Sequence, residues 1–145
     1  MINKATAMSD TQSREQLLTW MKVLENYGRD WDETFSGYFT QEFWYLLVGC
    51  VVANWEGAPL TVSAACQTMK SGSNRTREER IKKAVLDGYL VKEKSMADGR
   101  EARVVPTPKL DELVMAHFQR TLDMALEKLS ESRVQIYFGP GRASR

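Results

Sequence analysis

The strongest constraint on how this chain folds is the punctuation between Gly57 and Pro108. Turn and cap residues recur at Gly57-Ala58-Pro59, Ser71-Gly72-Ser73, Gly88, Asp98-Gly99 and Pro106-Thr107-Pro108. The intervals leave room for two brief helices and one hairpin. Thr61 is placed to cap the first helix, over 62–69, and the small polar turn 71–73 separates it from the second, which runs to about Asp87. Ile81, Ala84 and Val85 form the inward face of that second helix, and Thr76, Arg80 and Lys83 lie on the opposite side. Its start has two readings: Ser73 as the cap, or Thr76 with Glu79 as a capping box. After Gly88, residues 89–94 and 100–105 read as strands joined across Asp98-Gly99, a two-stranded wing. Thr107 then caps a last helix with Pro108 in its first position, where a missing N–H costs nothing.

The flanks are helical. Leu17, Leu18, Met21 and Leu24 recur at helical spacing between Thr11 and Tyr27, and Gly28 is expected to stop that helix. Residues 1–10 are expected to be disordered. Residues 29–41 read as an irregular aromatic-rich link or a short helix. The segment 43–55 is apolar nearly all round and reads as a central buried helix. The last helix, with a broad stripe from Leu110 to Leu129, is predicted to reach about Glu131. About 24 residues would extend roughly 36 Å, more than a small domain needs. A tail follows from about 133. The fold class expected is mainly α with a small β-wing, a single winged helix-turn-helix domain over 11–132.

The chain of 145 residues carries a net charge of only +1. Its distribution matters more: between Lys70 and Arg103 ten Lys or Arg face six Asp or Glu, a local surplus of four. Clustered cations are what phosphate binding requires. A helix fits the major groove of duplex DNA, and a hairpin can reach the neighbouring groove or backbone. The second short helix offers Asn74, Arg75, Thr76, Arg80 and Lys83 for bases and phosphates, while Lys70 and Ser73 would touch phosphate and set register. From the wing come Lys94 and the pair Asp98 and Arg100, whose spacing lets the carboxylate aim the guanidinium outward. The same charge run also fits a solvated helix face with i, i+4 ion pairs.

These residues resemble the MarR-like winged-helix regulators (multiple antibiotic resistance regulators) over roughly 60–110. Leu60-Thr61-Val62-Ser63 is similar to the opening of that family's first motif helix, and Asp87-Gly88-Tyr89-Leu90-Val91 to the close of its recognition helix. Asp98-Gly99-Arg100 stands where its wing carries D-x-R, and Pro106-Thr107-Pro108 where Leu-Thr precedes its last helix. Arg77 departs from the pattern, standing where the family usually has an aliphatic residue. The resemblance implies a DNA-binding lobe over about 42–106 and a homodimer interlocked through helices 11–28 and 107–132. It further implies a dimeric repressor of double-stranded DNA, with a cleft able to hold a small-molecule effector.

Ten of the fourteen aromatics precede residue 56. Trp31, Phe35, Phe39 and Trp44 are candidates for an effector pocket; core or dimer packing is the more ordinary role. His117, the single histidine, has no metal or acid partner nearby in sequence and reads as structural. Cys50 and Cys66 read as reduced core thiols without basic flanking residues. No phosphate loop, nucleophile elbow or metal-ligand spacing appears, so neither enzymatic activity nor a cofactor is expected. No leader or membrane-spanning stretch is seen, so a cytoplasmic protein is expected, with no membrane partner. Two other functions fit a winged helix: a protein-interaction scaffold, or an architectural DNA-binding protein without strong sequence preference.

Overall fold

The structure, a computed structural model, describes residues 4–94 and 101–136. Its elements are α1 (Lys4–Thr34), α2 (Gln41–Trp55), β1 (Leu60–Thr61), α3 (Val62–Thr68), α4 (Asn74–Leu86), β2 (Leu90–Lys94), β3 (Ala102–Pro106) and α5 (Pro108–Ile136). They divide into two compact units, one of residues 34–116 and one built from the chain up to 33 and from 117 onward.

In the unit 34–116, each element starts where local chemistry says it should. Thr40 caps α2 by accepting from the Phe43 amide, and Thr61 caps α3 by accepting from Ala64. Ser73 caps α4 by accepting from Thr76, which decides between the two starts that the sequence allows. Gly88, with φ +82°, closes α4. Its amide donates to Val85 and that of Tyr89 to Ala84, the paired bonds of a Schellman motif. Only glycine holds that backbone without strain.

The strands form a three-stranded antiparallel sheet in the order β1-β3-β2. Leu90 pairs with Pro106 and Lys94 with Ala102; Leu60 pairs with Val104 on the other side of β3. β1 is not expected from the sequence, because two residues carry no periodicity. Thr107 joins sheet and helices: its Oγ1 accepts from the Leu110 amide, and its hydroxyl donates to the Gly88 carbonyl at 2.6 Å. The core of this unit comprises Phe35, Tyr38, Leu46, Leu47, Cys50, Val51, Ala65, Met69, Ile81, Ala84, Leu90, Val104 and Leu110. The expectation that 43–55 is buried all round is corrected: Val52 and Trp55 stay exposed, and the Trp55 indole N–H donates to Asp111.

In the other unit, three boundaries move. α1 begins at Lys4, inside the stretch expected to be disordered, and passes through Gly28 to Thr34, so 29–34 is helix rather than irregular link. A glycine inside a helix costs only about 1 kcal/mol. Here the residues beside it repay more, because Tyr27 and Trp31 pack on the His117 ring at centroid distances of 4.7 and 5.4 Å. The chain turns instead at Gly37, φ +86°. α5 extends to Ile136, past the expected end. The apolar α1 residues at helical spacing, Leu17, Leu18, Met21 and Leu24, are all exposed, whereas Val23 and Trp31 are buried. The tail from 137 lies outside the described residues.

Candidate nucleic-acid interface

With Ser73 as cap, the first turn of α4 is Asn74-Arg75-Thr76-Arg77, a sequence without an acidic side chain. Backbone N–H groups there have no partner within the helix, and the helix dipole favours an anion at this end. Ser73 Oγ accepts from the Thr76 amide at 3.2 Å and lies 3.1 Å from its hydroxyl, so both side chains serve the cap first. Asn74 and Arg75 are exposed. Arg75 is 90% exposed in its side chain, and its Nε lies 3.3 Å from Glu79, a solvated i, i+4 pair that is cheap to exchange for a phosphate or a base.

Arg75, Glu78, Glu79 and Lys82 follow one another at i, i+3, i+4 and i+7 and therefore share one stripe of α4. With Lys92 of β2 and Val62 at the start of α3, they line a cleft of about 490 Å³. Lys82 and Lys92 are not among the residues that sequence reasoning singles out. The helical spacing from Arg75 would have found Lys82, and the strand alternation that puts Lys92 with Lys94 would have found Lys92. Lys70 and Lys94 are exposed beside the motif.

Two of the expected contacts already have partners within the lobe, Arg80 largely buried and Lys83 still about half exposed. Arg80 is only 21% exposed in its side chain. Its Nη1 donates to the Ser71 carbonyl at 2.8 Å and lies 3.9 Å from both Glu42 and the Met69 sulfur. Lys83 Nζ is 2.7 Å from Asp87 and 4.3 Å from the centroid of the Tyr38 ring. Arg80 could meet an outside anion only by giving up one of these partners, whereas Lys83 holds a solvated i, i+4 pair of the same kind as Arg75. The Asp98 and Arg100 pair lies outside the described residues.

The electrostatics match this division. Lys83 and the Tyr38 hydroxyl both donate to the Asp87 carboxyl and hold it below the usual carboxylate range. Burial, then that same hydrogen bond, pushes the Tyr38 phenol up, so it stays a donor. Burial alone would raise Glu42, but N–H groups of Ser71 and Lys70 hold it below its ordinary value. Burial pushes the Cys50 thiol up to about 12. Cys66 is raised by burial and by Glu78, although the fold brings it the basic neighbours Arg77 and Lys92 that its sequence flanks lack. Both thiols are therefore protonated at neutral pH. No group of three or more His, Cys, Asp or Glu is placed to hold a metal among the described residues.

The four candidate effector residues differ in burial. Trp31 is buried against His117, and Phe35 is buried with its ring 5.8 Å from that of Tyr89. Phe39 is exposed and Trp44 half-buried beside Tyr45. None of them lines the α4 cleft, nor a second, charge-lined cleft of about 340 Å³ between Glu15, Thr19 and Lys22 of α1 and Met124, Lys128 and Glu131 of α5.

No family model matches the sequence, and no curated protein does. Solved structures do. The YusO protein from Bacillus subtilis superposes with a TM-score of 0.61 at 17% identity, over 99% of this chain and 98% of that one. The transcriptional regulator Tm0710 from Thermotoga maritima gives 0.57 at 21% identity, over 92% and 85%. The chain has a winged helix-turn-helix fold. A MarR-like transcription regulator from Bacillus cereus is also matched, with a TM-score of 0.47 at 18% identity over 83% of this chain and 84% of its own. Within the winged helix, α3 and α4 are the first and second helices of the helix-turn-helix, and β2 and β3 are the wing. No described helix is long and apolar enough to cross a membrane.

Proposed function

We propose that this chain is a sequence-specific, double-stranded DNA-binding regulator of transcription, acting in the cytoplasm as a homodimeric repressor without enzymatic activity. The observation that carries the proposal is the Ser73-capped start of α4, which presents Asn74 and Arg75 on a turn without acidic residues, beside Lys82, Lys92, Lys94 and Lys70. Arg and Asn are the side chains suited to bidentate base contacts, and the lysines to phosphates. The regulatory role stated for the Thermotoga protein of the same fold supports the reading. The homodimer is supported by the apolar side chains that one copy leaves exposed: Leu17, Leu18, Met21 and Leu24 on α1, and Leu122 and Leu126 on α5. Exposed apolar side chains on α1 and α5 are what a second copy would cover.

Selection of bound sequences from a random duplex pool tests this directly. The expected product is a pseudo-palindrome with half-sites about one helical turn apart, matching a twofold dimer. Folded protein that shifts no DNA at low salt would establish a docking scaffold in its place. Equal binding of all sequences would establish an architectural protein.

A further inference from the structure

Five consecutive residues, Tyr38 to Glu42, hold α4 near both of its ends. At the far end, the Tyr38 hydroxyl donates to Asp87, the C-terminal cap of α4, at 2.5 Å. The Tyr38 ring is almost fully buried, packed edge-on against Tyr89 and Phe43 with centroids 5.0 and 4.6 Å away, and it carries Lys83 Nζ over its face. At the near end, Glu42 in the first turn of α2 accepts from the Ser71 amide at 3.1 Å and also from the backbone of Lys70. Arg80, in the middle of α4, donates to the Ser71 carbonyl at 2.8 Å and sits 3.9 Å from the same carboxylate. The turn between α3 and α4 is thus held by its N–H and its C=O through one acid and one base. Gly72 takes φ +99° there, and a Cβ would meet the Arg80 guanidinium at 3.1 Å and Thr76 at 3.2 Å, so the turn is built for glycine.

We propose that Tyr38 and Glu42 are positioning residues for DNA reading: a two-point brace, on one short segment that carries the Thr40 cap of α2 between them, that sets the angle of α4. Neither side chain need touch DNA. A helix fixed at one point can pivot, whereas one fixed at two points about 20 Å of helix apart cannot. Base readout depends on that angle, since bidentate contacts tolerate little displacement. Phosphate attraction does not, because it acts over a Debye length. The brace therefore governs discrimination between sequences more than overall affinity.

This inference rests on the DNA-reading function proposed above, and its test separates the two. Tyr38→Phe, Glu42→Ala and Glu42→Gln are made in the full chain. Each is measured for operator affinity, random-duplex affinity at the same salt, and hydrogen exchange at the Ser71 amide. Tyr38→Phe and Glu42→Ala are each expected to lower the operator-to-random ratio about tenfold, the scale of one mismatched base pair. Random-duplex affinity should change less than about twofold. Glu42→Gln, which keeps an acceptor for Ser71, should restore most of the ratio, and Ser71 exchange should quicken in Glu42→Ala alone. Equal losses on operator and random DNA, or an unchanged ratio in both truncated variants, would overturn the brace. Wild-type protein that selects no operator would instead defeat the DNA-reading proposal, and with it the need for a brace. If Glu42→Ala does not fold, Tyr38→Phe, which removes a single oxygen, decides the same ratio.

Discussion

The imidazole of His117, fully buried, lies with Nδ1 2.8 Å from Oδ1 of Asp30. Arg120 forks onto the same carboxylate, Nε to Oδ2 and Nη2 to Oδ1, both at 2.8 Å. Asp30 is therefore ionised and accepting, and the histidine proton sits on Nδ1. Rings of Tyr27, Trp31 and Phe118 surround it.

Burial lowers the His117 pKa below its ordinary 6.5, and the Asp30 hydrogen bond offsets this only in part. The groups facing it from α1 and α5 are Tyr27, Asp30 and Arg120, with Glu33 acting on Arg120. A depressed folded pKa means that the unfolded chain takes up the proton first. Its contribution is fully present above about 6.5 and is lost as pH falls through the lower folded value. The melting temperature is expected to fall as pH drops below about 6.5, before the carboxylates of Asp87 and Glu42, held below their ordinary values, begin to lose their charge. His117→Asn should flatten that part of the profile. A profile as steep in the variant as in the wild type would assign the slope to other groups.

Lys83 and Lys82 are neighbours with different duties. Lys83 is spent on Asp87 and Tyr38, whereas Lys82 lines the open α4 cleft with Lys92. Replacing Lys82 or Lys92 with Ala should weaken all DNA alike and reduce the slope of log affinity against log salt by about 0.9 for each phosphate no longer neutralised. Lys83→Ala should leave that slope within error and instead lower thermal stability. Salt titrations of the three variants check this, and a shallower slope for Lys83→Ala would show that the ion pair opens on DNA.

Thr107 links the close of α4 to the start of α5. Its oxygen accepts from Leu110 while its hydroxyl donates to the carbonyl of Gly88. Thr107→Ala removes a helix cap and leaves a partly buried carbonyl short of a donor, a cost of about 1.5 kcal/mol. Thr107→Ser should recover most of it. Chemical denaturation with an unchanged m-value is the measurement.

What is legible in the sequence follows from how local the chemistry is. Thr61, Ser73 and Thr107 each cap a helix by accepting from a residue three positions on, and Gly88 closes one by donating three positions back, so α3, α4, β2, β3 and the start of α5 are readable directly, while the two-residue β1 is not. Gly28 misleads because the rings that carry the helix past it gather on His117, about ninety positions along the chain. Helical spacing alone makes Arg80 and Lys83 look outward-facing. Their partners Glu42 and Tyr38 belong to another part of the chain, which no periodicity reveals. The apolar spacing of Leu17, Leu18, Met21 and Leu24 is plain, but a repeat says only that a face is apolar and not which surface covers it.

That face provides the last prediction. Leu17, Met21 and Leu24 are spaced i, i+4 and i+7 along α1, and all are close to half exposed or more; Leu122 and Leu126 on α5 are spaced i, i+4 and similarly bare. Burying a leucine or methionine fully is worth about 1.5 to 3 kcal/mol, and each of these half-exposed side chains has about half of that left to gain, so ten of them across two copies can hold a dimer after the cost of association. A charge among these side chains cannot be buried without a partner. Met21→Glu with Leu126→Glu is therefore expected to give a folded monomer by sedimentation, with its helical signal largely retained. Because half-site contacts would no longer be linked through one molecule, the monomer should bind a single half-site weakly and lose the preference for the palindrome. A double variant that stays dimeric would place the interface elsewhere on the chain, and a monomer that still prefers the full palindrome would separate DNA reading from dimerisation.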